Sequence, residues 1–151
     1  MGILWASPPC HTYSVSQIIN FDKGMAYRDH RTNNKDPVKG NNKYSKEARA
    51  MDALVKHLLK TIEWYVTQWN IFWVIENPKG FLAQRPFMRK IPMPHTLHLV
   101  DFCAYRGQYK KPTHIWTNLE WNPQGTTQTG RCNNRCEGGN WGPSGSLRWV
   151  H

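Results

Sequence analysis

Two short polar clusters in this sequence carry side chains able to do covalent chemistry. Ser7-Pro8-Pro9-Cys10 follows the apolar stretch Gly2-Ile3-Leu4-Trp5-Ala6, and Glu76-Asn77-Pro78 follows Ile71-Phe72-Trp73-Val74-Ile75. A cysteine thiolate is a strong nucleophile, and a carboxylic acid beside it can hold or move a proton on the group under attack. Taken singly, Cys10 also reads as a small buried hydrophobe and Glu76 as a turn cap. Their pairing at two strand ends is what argues for function. A third cluster, Cys132-Asn133-Asn134-Arg135-Cys136, lies in the tail. Two thiolates at that spacing can share a structural zinc ion, with Cys103 and His151 as further ligands. Free loop thiols, and a core position for Cys103, are the alternatives.

These groups need elements to position them. Gly2–Ala6 reads as a short buried strand that stops where Pro8 and Pro9 cannot continue a ladder. Ala48, Met51, Val55, Leu58, Leu59, Ile62, Tyr65, Val66 and Trp69 recur at three- and four-residue steps. That spacing predicts a helix over 45–69 with Ser45 as its N-cap, while Lys46, Lys56, Lys60 and Glu63 fall on the other side. The run 71–75 predicts a fully buried strand ending in a turn at Glu76-Asn77-Pro78. Residues 97–103 and 114–117 predict two further strands, a hairpin around Gly107. The fold class is therefore α/β. In an open α/β sheet ligands bind beyond the carboxyl ends of the strands, which places Cys10 and Glu76 in one shared crevice. No G-x-G-x-x-G turn is present to cradle a dinucleotide.

The chain has 151 residues, the size of one domain. It carries 20 Lys and Arg against 10 Asp and Glu, a net charge of +10. That excess is the footprint of a polyanion binder, nucleic acid first, with a merely basic surface as the bland alternative. Tyr105-Arg106-Gly107-Gln108-Tyr109-Lys110-Lys111 mixes aromatics with cations, which suits phosphate contact and base stacking. Residues 20–44 are polar and basic and read as a long surface loop displaying Arg28 and Arg31. From Asn122 onward the sequence becomes rich in Gly and Asn, so residues 1–121 are expected to form the folded body with 122–151 as a tail packed on it. No apolar run approaches the ~20 residues a bilayer span requires. The 4 cysteines are too few for a disulfide scaffold, so a reducing cytoplasmic setting is expected.

Several of these segments occur together in a known family. Ser7-Pro8-Pro9-Cys10 with Tyr13-Ser14 resembles the Pro-Cys motif of DNA cytosine-5 methyltransferases, and Glu76-Asn77-Pro78 resembles their Glu-Asn-Val motif. Tyr105-x-Gly107 with Lys110 through Asn118 is similar to a basic segment of small phage and viral members. The resemblance covers roughly residues 3–118. It implies an incomplete Rossmann-like methyltransferase sheet and a covalent mechanism on a cytosine flipped out of DNA. Cys10 would add to ring carbon 6, Glu76 would hold or protonate ring nitrogen 3, and Asn77 would secure its loop. Ser7 and Pro8 would border the S-adenosylmethionine pocket, while Ser14, Arg28, Arg31, Lys110, Lys111 and His114 would contact DNA.

Two departures accompany the likeness. His114 stands where the family's Gln-x-Arg-x-Arg segment has its second Arg, and imidazole cannot reproduce the guanidinium fork. The chain also opens at the family's fourth motif, so the cofactor-binding strands are expected from a second chain, a second copy or a missing N-terminal segment, with the Cys10 strand left as an open edge. The main alternative is a non-catalytic nucleic-acid-binding or regulatory subunit with the same fold. Methyltransferases acting on exocyclic amines rank lower, because Cys10 cannot supply the stacking residue of their motif.

Overall fold

In a computed structural model of the chain, which describes residues 2–105, 111–124 and 131, four strands form one mixed sheet. The strands are β1 (Ile3–Ala6), β2 (Phe72–Pro78), β3 (Thr96–Asp101) and β4 (Pro112–Thr117). Their order is β1-β2-β4-β3. β1 and β2 run parallel, with Ile3 opposite Phe72 and Ala6 opposite Ile75. A parallel pair needs a long crossover, and helix α1 (Lys43–Trp69) supplies it. β4 runs antiparallel to both β2 and β3. This is an α/β fold with a mixed sheet, compatible with a Rossmann-like sheet and not specific to one.

The helix forms where apolar periodicity places it, but it begins two residues earlier than expected. Asn42 caps it, its side chain accepting the Ser45 N–H at 2.9 Å, while the Ser45 hydroxyl is turned to the Gly40 carbonyl. Asn70 closes it in the left-handed region at φ 46°. Ala48, Val55, Leu59 and Ile62 are buried along one stripe. Val55, Leu59 and Ile62 meet Trp73, Ile75 and Trp116 from one face of the sheet, and Tyr13, Leu82 and Met88 close the cluster.

Strand β2 runs through Glu76, Asn77 and Pro78, where a turn was expected. Antiparallel pairing with β4, Glu76 opposite Ile115 and Asn77 opposite His114, carries the ladder past the apolar run. β1 is an edge strand rather than a buried one: Ile3 is 60% and Trp5 61% exposed. β3 stops at Asp101, so Cys103 lies in the 3₁₀ turn Phe102–Tyr105 rather than in a strand. β3 and β4 do pair as a hairpin; Gly107 lies outside the described residues. Arg131 reaches back to the end of β3, its Nε 3.2 Å from Asp101 Oδ2.

The largest difference concerns residues 20–44. Arg28 is only 1% exposed and cannot contact DNA. Its Nη2 sits 2.8 Å from Asp52 Oδ1, and its Nε donates to the Thr12 carbonyl at 2.9 Å. Arg85 takes the other Asp52 oxygen at 2.6 Å and also bonds Asp36. The Tyr13 hydroxyl donates to Asp52 as well, and the Arg28 guanidinium lies 4.0 Å from the Tyr13 ring centre. Burial lowers the Arg28 pKa, with Asp52 opposing the shift. Burial, then the Asp52 charge, pushes the Tyr13 phenol far above its ordinary range. The segment is therefore pinned to α1 by a buried ion cluster.

Candidate functional site

Glu76 is set by strand alternation. Even positions of β2 and odd positions of β4 face away from α1, so Val74 and Glu76 stand beside Thr113, Ile115 and Thr117. Among the described residues no helix covers this face. With Ile3 and Trp5 of β1 and Phe102, Tyr105 and Trp121 at the far side, these strands line a cavity of about 370 Å³. Among the described residues Glu76 is the single charged one in that lining. Its Oε1 is buried and has no hydrogen-bond partner among the described residues. A carboxyl oxygen in apolar surroundings is costly unless it meets a donor or takes a proton. Aromatic walls around one such carboxyl suit a planar, partly polar ring presenting an N–H edge.

The Pro-Cys segment is seated on the end of β2 by two contacts. Asn77 Nδ2 donates to the Pro8 carbonyl at 2.7 Å. At Gly80 the chain passes so close to the Tyr13 carbonyl that an added side-chain carbon would collide with it. Between these anchors Cys10 is exposed and opens a 3₁₀ turn, its carbonyl accepting the Tyr13 N–H at 2.9 Å. His11 is turned to α1, its Nε2 2.7 Å from Glu47 Oε1.

The structure thus brings the two sequence clusters to adjacent strand ends without merging them into one crevice. Glu76 and Asn77 project to opposite faces, because neighbours on a strand must. Cys10 is not among the described residues that line the Glu76 cavity.

The other expected contacts divide in the same way. Ser14 caps the 3₁₀ helix Val15–Asn20 through its side chain. Arg31 is exposed, but its guanidinium is bonded by Nε and Nη2 to the Asp29 carboxylate and lies over the Phe21 ring. The Lys111 ammonium is 5.0 Å from the Phe102 ring centre, at the rim of the cavity. His114 is half-buried within β4 with Nδ1 unpartnered among the described residues. Burial, then Lys79 and Arg131, hold its imidazole below the ordinary pKa. Lys110, Cys132, Cys136 and His151 lie outside the described residues. Among those described, no group of three or more His, Cys, Asp or Glu side chains is placed to hold a metal.

Ser7 and Pro8 do not fit S-adenosylmethionine by themselves. The Ser7 hydroxyl accepts the Trp5 indole N–H at 3.2 Å, Pro8 is buried, and its carbonyl is taken by Asn77. Neither offers a set of polar groups for a ribose or an amino acid moiety.

Sequence reasoning missed the cavity's aromatic walls, Trp5, Phe102, Tyr105 and Trp121. The signal was present in alternation: Ile3-x-Trp5, Val74-x-Glu76 and Thr113-x-Ile115-x-Thr117 are three strands whose every second residue shares a face. Set against known proteins, the chain matches no family model, no curated protein and no solved structure at a significant level.

Proposed function

We propose that this chain is a DNA cytosine-5 methyltransferase-like protein that supplies the base-holding carboxyl and the nucleophile. The observation that carries this reading is the unpartnered Glu76 oxygen in an aromatic-walled cavity, beside a strand end that presents an exposed cysteine. A cytosine flipped into the cavity would stack on the aromatic walls and set its nitrogen 3 edge against Glu76. The Cys10 thiolate would then add to carbon 6 as the carbon 5–carbon 6 double bond opens. Glu76 balances the developing negative charge by donating a proton to nitrogen 3, and carbon 5 becomes nucleophilic. S-adenosylmethionine, the methyl donor of this reading, would be held by a second chain or second copy lying along the open β1 edge. The basic surface would bind the DNA backbone.

Thiol addition can be tested without the methyl donor. DNA carrying tritium at cytosine carbon 5 releases it to water when carbon 6 is attacked, carbon 5 takes a proton from water, and a base then removes the triton from carbon 5 as the thiol is eliminated. The expected result is release by the wild type, none by Cys10→Ser, and at least about a hundredfold less by Glu76→Gln. Release that persists in Cys10→Ser sinks the reading. No release by the wild type, with DNA binding retained, supports the second reading, a non-catalytic nucleic-acid-binding subunit. The position of Cys10 outside the cavity lining is what favours that alternative.

A further inference from the structure

A second recess lies against the first half of α1, on the opposite side of the helix-covered layer from the Glu76 face. It has a volume of about 500 Å³ and is lined by Lys39, Arg49, Lys56 and Arg85, with Asp52 the single carboxylate among the described residues. Asp52 pairs with Arg85 and leaves Lys39, Arg49 and Lys56 without a carboxylate. Its Oδ1 is shared by Arg28 and Tyr13 and its Oδ2 is taken by Arg85. Arg49 donates to neutral acceptors, the Gly40 carbonyl and the Asn41 side chain, so its charge stays uncompensated. Lys56 faces the Phe87 ring at 5.5 Å. Among the described residues none of Lys39, Arg49 and Lys56 forms an ion pair.

Arg85 is 94% buried by its 6% exposure, lines the recess, and its Nε has no hydrogen-bond partner among the described residues. That nitrogen is closed to solvent and Arg85 is paired with Asp52 and Asp36, so the residue forms the floor of the recess and leaves phosphate contact to the exposed cations above it. The positive charge also continues along the helix. Lys46, Arg49, Ala53, Lys56 and Lys60 are exposed and succeed one another at alternating steps of three and four, forming one stripe about 21 Å long. Ala53, small and central, leaves the middle of the stripe open.

We propose that this recess and stripe bind the phosphates of a nucleic-acid backbone. The inference rests on the proposed function for its choice of polyanion, and it assigns the backbone contact to residues 39–60 rather than to Arg28 and Arg31. Phosphate oxygens would accept from the exposed Lys39, Arg49 and Lys56, and the stripe would track successive phosphates along the strand.

The test is fluorescence anisotropy of the full chain with a labelled 20-base-pair duplex over a range of salt. The probe variant is Arg49→Gln with Lys56→Gln, both exposed, and the control is Lys23→Gln with Lys90→Gln, exposed elsewhere. Losing two phosphate contacts should make the slope of log K against log salt shallower by about 1.8 and weaken low-salt binding by roughly tenfold. The control pair should keep the wild-type slope, and circular dichroism melts should show all forms folded. An unchanged slope in the probe variant, or an equal fall in the control, overturns the proposal. So does binding to phosphatidylserine vesicles without binding to duplex. Tritium release from cytosine separates the two readings. A shallower slope with no release by the wild type keeps the recess and removes the catalytic reading. Release with an unchanged slope does the reverse.

Discussion

The two faces of the sheet are made from alternate residues of the same strands, yet they have been put to opposite uses. Toward α1, Trp73, Ile75 and Trp116 are wholly buried and pack on Val55, Leu59 and Ile62. On the other side, Ile3 and Trp5 stand open beside a carboxyl oxygen that has no partner among the described residues. The covered face is filled, and although the Trp73 indole N–H also has no partner among the described residues, it is sealed from any ligand. The open face keeps its unpartnered carboxyl oxygen beside a cavity, where a ligand can recover the free energy. The comparison teaches where to look for function in a small sheet: at the face where packing is left unfinished around a polar group.

The sharpest way to break the contrast is at Asp52, which anchors the covered side. Asp52→Ala strands the buried Arg28 guanidinium, leaves Arg85 with Asp36 alone, and should cost about 3–5 kcal/mol in urea denaturation. A loss below about 1 kcal/mol would show that the ion cluster does not hold residues 20–44 to the helix. Next comes a matched pair of isoleucines. Ile75→Ala on the covered face should cost about 2–5 kcal/mol, and Ile115→Ala on the open face less than about 1.5 kcal/mol. Equal losses would mean that the open face is covered in solution.

Glu76→Gln should move stability by no more than about 1 kcal/mol, since it removes an unpartnered oxygen's charge and little packing. Its effect on tritium release should be far larger, and that divergence is the signature of a functional rather than structural carboxyl. The smallest effect concerns His114, whose pKa is lowered from 6.5 chiefly by burial. In the folded chain the ring stays neutral while the unfolded chain already binds a proton. Its contribution is therefore complete above pH 6.5 and is lost as pH falls through the folded value. His114→Gln should flatten the fall in urea midpoint below pH 6.5 relative to the wild type; an identical pH profile would place the imidazole in water.

Periodicity made α1 and the core of β2 readable from sequence, because burial on one face imposes a spacing that local propensity does not hide. The same logic located the end of β1, from which the Cys10 segment follows. It failed at Glu76-Asn77-Pro78, where polar turn-forming residues remain in the sheet because β4 pairs with them. That pairing is a long-range fact with no local sign. It failed again at Arg28, read as a surface cation. There the missed sign was Asp52, an acid on the apolar stripe between Ala48 and Val55. An acid so placed requires a buried cation from elsewhere in the chain. The recess along Lys39, Arg49, Lys56 and Arg85 was hidden for the same reason, since its parts meet only after residues 20–44 fold back onto the helix.

The pairing of Ile3 with Phe72 joins residues separated by nearly half the chain, whereas β3 and β4 are near neighbours in sequence. Closing the long loop costs more chain entropy than closing the hairpin, so contact order sets a sequence of events. The helix and hairpin form first, and β1 adds to a sheet already in place. Asn77 and Gly80 can seat the Pro8–Tyr13 segment only after that step. A refolding chain would therefore fix the surroundings of its Cys10 thiol as the last event, and a thiol-labelling pulse during refolding would date it.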